Sequence, residues 1–397
     1  MRLPATDLTG KRVLVTGGTG FIGGRLAERL VLEFRASVCA LVPSIGRLSR
    51  ISRLPIEFAH GDVRRLEDVV QAAADCDVIF HCAYGNRGSD RDRRRVTFEG
   101  TRNVVEAARR QGARRLVHVS TMMVYGEVRD GELDETAPHR YVGEWYPDSK
   151  IAAEKLVVRS FKRGDVPATI VQPTVVYGPY SPPYTVGILR RLLKKRIILV
   201  NGGEGLCNAV YIDDLISAML LAAVRTEAIG ESFLVSGEVP VTWRDFFGSY
   251  ERMLGIDGTV SMSPQQALAY YRQCKKEQGT VRRLLRAAAS NPHVRRRLAT
   301  FPGGNVAMRL ASELGGGNPS SQGSGTAKGS SSPTARPIHP LPPSQVKLYQ
   351  AKQHVRIDKA KRLLGYEPAF DLGAGMDLTA NWAAWANLVG RERPTSF

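Results

Sequence analysis

The run Gly17-Gly18-Thr19-Gly20-Phe21-Ile22-Gly23 narrows what this chain can fold into more than any other stretch. It joins a short buried-strand pattern, Arg12–Thr16, to a segment with helical periodicity, Arg25–Leu32. At such a junction one glycine makes the tight turn, one lets the backbone approach a pyrophosphate, and one allows the helix to pack closely on the strand. The helix N-terminus then offers unpaired N–H donors and a partial positive charge to the phosphates. Gly17, Thr19, Gly20, Phe21, Ile22 and Gly23 are therefore expected to cradle a dinucleotide, NAD or NADP. A second strand that prefers NAD usually ends in an acid for the ribose 2′-hydroxyl. Here it ends Ala40-Leu41-Val42-Pro43 and is followed by Arg47 and Arg50. That tilts the choice modestly toward NADP and makes Arg47 a candidate contact.

From Arg12 to about Val119, apolar runs alternate with amphipathic stretches: Arg12–Thr16, Phe21–Glu33, Ser37–Val42, Leu66–Ala74, Val78–Cys82, Thr101–Arg110, Leu116–Ser120. Such alternation marks a parallel sheet wrapped by helices. Runs at Ala168–Gln172 and Ile197–Val200 are expected to continue the sheet. The expected fold is α/β, a Rossmann-type doubly wound parallel sheet with a smaller C-terminal substrate lobe. Residues 1–178 form the dinucleotide-binding domain in this reading, with later segments returning to it, and 179–262 form the substrate lobe and the remaining sheet elements. A basic helical insertion follows over 263–314, then a Gly-, Ser- and Pro-rich disordered linker over 315–343, and residues 344–397 complete the substrate lobe.

Of the 397 residues 43% are hydrophobic and 24% charged, as in ordinary globular proteins, and no apolar run approaches the roughly 20 residues needed to span a bilayer. With no signal-type segment at the N-terminus, a cytoplasmic location is expected. The five cysteines form no CxxC pair, so no metal site is expected. A net charge of +18 attracts acidic partners. The expected ones are a small-molecule substrate, anionic or sugar-derived, and an anionic membrane surface met peripherally by the basic residues between Arg272 and Arg309. No nucleic-acid motif or aromatic platform accompanies that segment, so no nucleic acid is expected. A homodimer is compatible with the sequence.

Tyr146 and Lys150 stand four apart at the start of a helical pattern, on one face. An ammonium near a phenol favours the phenolate and makes Tyr146 a usable acid or base. Thr121 follows the strand pattern Leu116–Ser120, at the end where open α/β sheets place ligands, and its hydroxyl suits a substrate oxygen.

These features resemble the extended short-chain dehydrogenases/reductases, the NAD-dependent epimerases and dehydratases, over roughly Lys11 to Ser236 and again at Val355–Trp382. The matching landmarks run in order: Thr16 to Gly23; Gly61-Asp62-Val63; His81-Cys82-Ala83; Gly100 to Val105; Ser120-Thr121 before Val124-Tyr125-Gly126; Tyr146 with Lys150; Gln172 to Pro179; and Val210 to Leu215. The resemblance implies that Tyr146 is the general acid/base, that Lys150 lowers its pKa and holds the nicotinamide ribose, and that Thr121 orients the substrate oxygen. It places Asp62, Val63, Cys82, Ala83 and Pro173 beside the cofactor.

Departures from the family pattern bear on the substrate. Met122-Met123 replace the Asp-Glu pair that dehydratases use, and two thioethers cannot transfer protons. Cys207 stands where many nucleotide-sugar enzymes hold an arginine for the diphosphate. Thr97 replaces a usual asparagine, and the stretch before it, Asn86 to Arg95, is short and charged. Asp214 is read equally well as a cap for the helix Leu215–Ala223, and Tyr125 and Tyr177 as packing. The leading expectation is an epimerase of an activated sugar. The alternative is a net reductase resembling 3β-hydroxysteroid dehydrogenase or dihydroflavonol reductase. A non-catalytic dinucleotide sensor has no need for an activated phenol.

Overall fold

The computed structural model describes residues 8–290 and 336–389. Seven parallel strands form its framework: β1 (Arg12–Thr16), β2 (Ser37–Val42), β3 (Glu57–His60), β4 (Val78–His81), β5 (Arg115–Val119), β6 (Ala168–Pro173) and β7 (Ser232–Val235). Their spatial order is β7-β6-β5-β4-β1-β2-β3. The chain runs outward from β1 to β3, crosses back to β4 and continues the other way, so the order reverses between β1 and β4. Five helices flank the sheet: α1 (Phe21–Leu32), α2 (Leu66–Ala72), α3 (Gly100–Arg110), α4 (Trp145–Lys162) and α5 (Ile212–Val224).

Parallel strands joined by crossover helices are buried on both faces, so both sides of each strand must be apolar. In β1, Val13 and Val15 join a core layer with Leu26 and Leu30 of α1 and Leu215 and Met219 of α5. Leu14 faces the other way, into a layer with Val69 of α2, Val104 and Ala107 of α3 and Val157 of α4. This is the doubly wound Rossmann-type architecture.

The run at Ile197–Val200 does not extend this sheet. Arg196–Val200 pairs in parallel with Thr259–Met262 on one side and Ile338–His339 on the other, forming a three-stranded sheet of its own. An apolar run signals burial but does not name its neighbours, and β7, the strand that follows α5, takes the edge of the central sheet instead.

The basic insertion begins as a helix, Pro264–Ser290, with Ala267 buried and the Tyr270 hydroxyl donating to the Ile338 carbonyl at 3.3 Å. Residues 291–314 of that insertion and 315–335 of the expected linker lie outside the described residues. The end of the expected linker is ordered. Arg336 donates to the carbonyls of Leu192 (2.8 Å) and Asp257 (2.6 Å), Ile338–His339 forms its strand, and Leu341 is fully buried. Those bonds and that burial offset the ordering entropy that the Pro-rich composition alone would leave uncompensated.

Asp214 does not cap its own helix. Its carboxylate accepts the backbone N–H groups of Ala369 (2.8 Å) and Phe370 (3.2 Å), which fastens the C-terminal segment to α5.

Candidate active site at the carboxyl ends of the strands

In an open α/β sheet the ligand crevice lies outside the carboxyl ends of the strands, where the strand order reverses. The end of β1 leads into Gly17, β4 into Cys82 and β5 into Thr121, while Pro173 closes β6, so the topology brings these positions to one edge. The glycine loop has little room for side chains. Gly17 has φ +73°, and a Cβ there would lie 2.8 Å from the Ala83 nitrogen. A Cβ on Gly23 would lie 2.4 Å from the Gly17 carbonyl oxygen. Gly20 is the exposed N-cap of α1, Thr19 is half-buried beside it, and no acid stands in the first turn. The first-turn amides, unopposed by negative charge, fit a pyrophosphate.

Around the loop, Phe21 and Ile22 pack against the core, and the backbone N–H groups of Cys82 and Ala83 donate to Thr16, at its carbonyl (3.1 Å) and its hydroxyl (3.4 Å). The Asp62 carboxylate is bound by Arg64 at 2.6 Å and held below the usual carboxylate range by it. Val63 is buried and its carbonyl accepts Asn103 Nδ2 at 2.9 Å. Arg47 and Arg50 part company. Arg50 is spent on Glu28 (2.6 Å) and the Phe21 carbonyl (3.2 Å), whereas Arg47 is exposed.

The residues expected to be catalytic come from the end of β5 and the start of α4. Thr121 is buried, and its hydroxyl accepts the Met123 N–H at 3.3 Å, so it caps the short turn Met122–Tyr125 as well as facing the Tyr146 phenol. Lys150 is almost fully buried and its Nζ donates to the Val119 carbonyl at 2.7 Å. The Tyr146 ring meets Tyr84 edge-on at 6.0 Å and Trp145 at 5.5 Å, and Arg93 lies 4.7 Å above the Trp145 ring. Lys150 was expected to pull the Tyr146 phenol down. Burial, with a contribution from Tyr84, pushes it up to about 12 against the Thr121 hydroxyl, and the ammonium donates to the Val119 carbonyl. Burial also lowers Lys150 to about 8. A phenol in this state stays protonated near neutrality and is suited to giving a proton.

Several residues at the site escaped the sequence reading. Tyr84, itself exposed, meets the Tyr146 ring edge-on, and Tyr184 is near enough to both Tyr146 and Cys207 to be affected by each. Behind Lys150, Glu154 is 1% exposed and accepts Gln172 Nε2 at 3.0 Å. The Lys150-to-Glu154 spacing of four was a usable signal; the aromatic pair had none. Thr97 binds the Arg93 carbonyl and accepts the Gly85 N–H, each at 3.0 Å, and so shapes the loop that carries Tyr84. Among the described residues no cluster of metal-ligand type occurs.

The model of the NAD dependent epimerase/dehydratase family matches residues 13–236, more than half of the chain. The chain belongs to that family. Among family relatives, the 4-hydroxy-2-methyl-3-oxo-4-farnesyl-3,4-dihydroquinoline-1-oxide ketoreductase of Stigmatella aurantiaca is 31% identical over 262 residues, covering 64% of this chain and 77% of that protein. The 2-alkyl-3-oxoalkanoate reductase of Shewanella oneidensis is 28% identical over 275 residues, covering 64% and 69%. Among solved structures, an epimerase of Methanothermobacter thermautotrophicus superposes with a TM-score of 0.67 at 18% identity, covering 96% of this chain and 95% of that one. The UDP-glucuronic acid 4-epimerase of Bacillus cereus, in complex with UDP-glucuronic acid and NAD, does so at 0.64 and 20%, covering 95% and 100%. These superpositions establish a shared fold. No described helix of this family member is long and apolar enough to cross a membrane.

Proposed function

We propose that this protein is a net NAD(P)H-dependent reductase of a ketone on a lipophilic small molecule. The observation that carries the reading is Cys207, fully buried with its thiol pushed far up by burial, in range of Tyr184, Tyr250 and Tyr349. The neutral thiol itself offers no counter-charge to a diphosphate, the Arg191 guanidinium that acts on Tyr184 and Tyr349 is bonded to the Gly187 and Pro183 carbonyls, and burying unpaired phosphate charge is costly. Two relatives whose names specify reduction of a 3-oxo group support the same reading. A phenol that stays protonated suits the reductive direction.

In this reading the amides of Phe21 to Gly23 hold the pyrophosphate, the Gly20 N–H being bonded to the Gly17 carbonyl at 2.9 Å, and Asp62, Val63, Cys82, Ala83 and Pro173 line the cofactor's path. The bound dinucleotide supplies hydride to the carbonyl carbon. Thr121 donates a hydrogen bond to the carbonyl oxygen, Tyr146 gives that oxygen its proton, and Lys150 holds the nicotinamide ribose. Met122 and Met123 have no proton to move, so dehydration is not part of the activity. The basic segment that starts in the Pro264–Ser290 helix would meet an anionic membrane surface, from which a lipophilic substrate is drawn.

The fold likeness to sugar epimerases supports a second reading, epimerisation of an activated sugar. One assay separates the two. With NADH or NADPH and ethyl 2-methyl-3-oxobutanoate, a reductase consumes one cofactor per alcohol formed, and Tyr146→Phe lowers turnover by on the order of 10²-fold or more while leaving nucleotide binding intact. Interconversion of a nucleotide sugar with no net cofactor consumption would overturn the reductase reading.

A further inference from the structure

Single exposed rings are ordinary on protein surfaces and call for no function. Tyr84 differs in being exposed, held in place and set against the expected acid all at once. It is 44% exposed, and its ring meets the Tyr146 ring edge-on at 6.0 Å. Half-buried Trp145 meets the same phenol ring at 5.5 Å, so three rings run together where the end of β4 faces the start of α4. Lys150 Nζ lies 5.8 Å over the Tyr84 ring, but it is bonded to the Val119 carbonyl at 2.7 Å and does not claim that ring.

The backbone that carries Tyr84 has little freedom. The Gly85 N–H donates to Thr97 Oγ1 at 3.0 Å, that hydroxyl donates to the Arg93 carbonyl at 3.0 Å, and a Cβ on Gly85 would collide with the same carbonyl oxygen. Ser89 caps the short helix Asp90–Arg94, its hydroxyl accepting the Asp92 N–H at 3.2 Å, and Arg93 Nε donates to the Gly88 carbonyl at 3.0 Å. The Arg93 guanidinium then lies 4.7 Å over the Trp145 ring and docks the whole loop on α4. A ring fixed in this way loses little freedom when a ligand packs on it.

We propose that Tyr84 is a specificity-determining residue, a fixed aromatic platform that favours ketones bearing a flat, unsaturated ring on the carbonyl carbon over those bearing a saturated group of the same size. The inference rests on the reductase reading above. Tyr146 gives its proton to the carbonyl oxygen, so groups on the carbonyl carbon lie within a few bond lengths of that phenol. Tyr84 stands 6.0 Å from it, ring to ring, inside the roughly 4.5–7 Å over which aromatic rings pair. The face of a phenol ring is electron-rich and a ring joined to a carbonyl is electron-poor, so the two attract when stacked. A saturated ring brings only its apolar area.

The test is the ratio of kcat/KM for ethyl 3-oxo-3-phenylpropanoate to that for ethyl 3-cyclohexyl-3-oxopropanoate, in wild type, Tyr84→Phe and Tyr84→Leu. The two esters share one carbon skeleton, and their intrinsic reactivities cancel when the ratio is compared between variants. The phenyl-to-cyclohexyl ratio should be kept in Tyr84→Phe and fall roughly three- to tenfold in Tyr84→Leu, through KM, with kcat for the cyclohexyl ester little altered. An unchanged ratio in Tyr84→Leu, or one that falls as far in Tyr84→Phe, overturns the proposal and leaves the reductase reading in place. Calorimetric titration of the two product alcohols, in the presence of the reduced dinucleotide with which they cannot react, reads the platform without turnover. The phenyl alcohol should lose affinity in Tyr84→Leu relative to the cyclohexyl one. If neither ester is reduced and that difference persists, the reductase reading fails and the platform stands; if both esters are reduced and the difference is absent, the platform fails alone.

Discussion

Arg47 and Arg50 stand three residues apart on one short turn after β2 and have different work. Arg50 bonds to Glu28 and to the Phe21 carbonyl, so its charge is consumed in holding α1. Arg47 is exposed beside the place where an acid for the ribose 2′-hydroxyl would stand. Arg47→Ala should therefore raise KM for NADPH by roughly tenfold with little change for NADH, a difference of the size of one charge-assisted contact. Arg50→Ala should instead lower the melting temperature and weaken both cofactors alike. Steady-state kinetics with each cofactor separates the two residues; equal effects of Arg47→Ala on NADH and NADPH would remove it from the cofactor site.

At the scale of elements, α1 and α5 are positioned by their ends. The α1 N-terminus approaches β1 so closely that Gly23→Ala places a methyl group 2.4 Å from a backbone oxygen that cannot swing away. That variant should bind nucleotide poorly and lose about 1–3 kcal/mol of stability, measured by calorimetric titration and denaturant unfolding. The start of α5 is tied to the C-terminal segment through Asp214, whose carboxylate takes the Ala369 and Phe370 amides. Asp214→Ala leaves both donors without their acceptor and should cost about 1–3 kcal/mol. Burial raises Asp214 to about 6 against those two bonds. A carboxyl raised on folding stabilises the native state fully below its ordinary pKa, and that contribution is lost as pH climbs through the folded value. Wild-type stability should thus fall relative to Asp214→Asn between about pH 4 and 6, and parallel curves across that window would show that Asp214 does not titrate there.

At the scale of the whole molecule, one stack joins the nucleotide-binding half to the C-terminal helix Leu372–Trp385. Arg50 lies 4.3 Å above the Tyr180 ring, which packs on Trp382 with centroids 4.7 Å apart. Tyr180 sits at φ +68°, a strained setting for a bulky residue, so its ring contacts offset backbone cost. Tyr180→Ala removes the contacts and keeps the strain, and should be less stable than Tyr180→Gly, which removes both; thermal melts of the pair would show it. The glycine loop, the β1-to-β5 alternation and the Tyr146, Lys150 and Thr121 positions were all legible in the sequence, because each depends on spacing within one strand, one turn or one helix. The neighbours of Arg196–Val200, the order in residues 336–343, the capture of Arg50 by Glu28 and the tail held by Asp214 were not, because each is a choice among partners distant along the chain. The same holds inside the site: a spacing of four put Lys150 near Tyr146, but only the folded surroundings decided that the ammonium meets the Val119 carbonyl while burial keeps the phenol protonated.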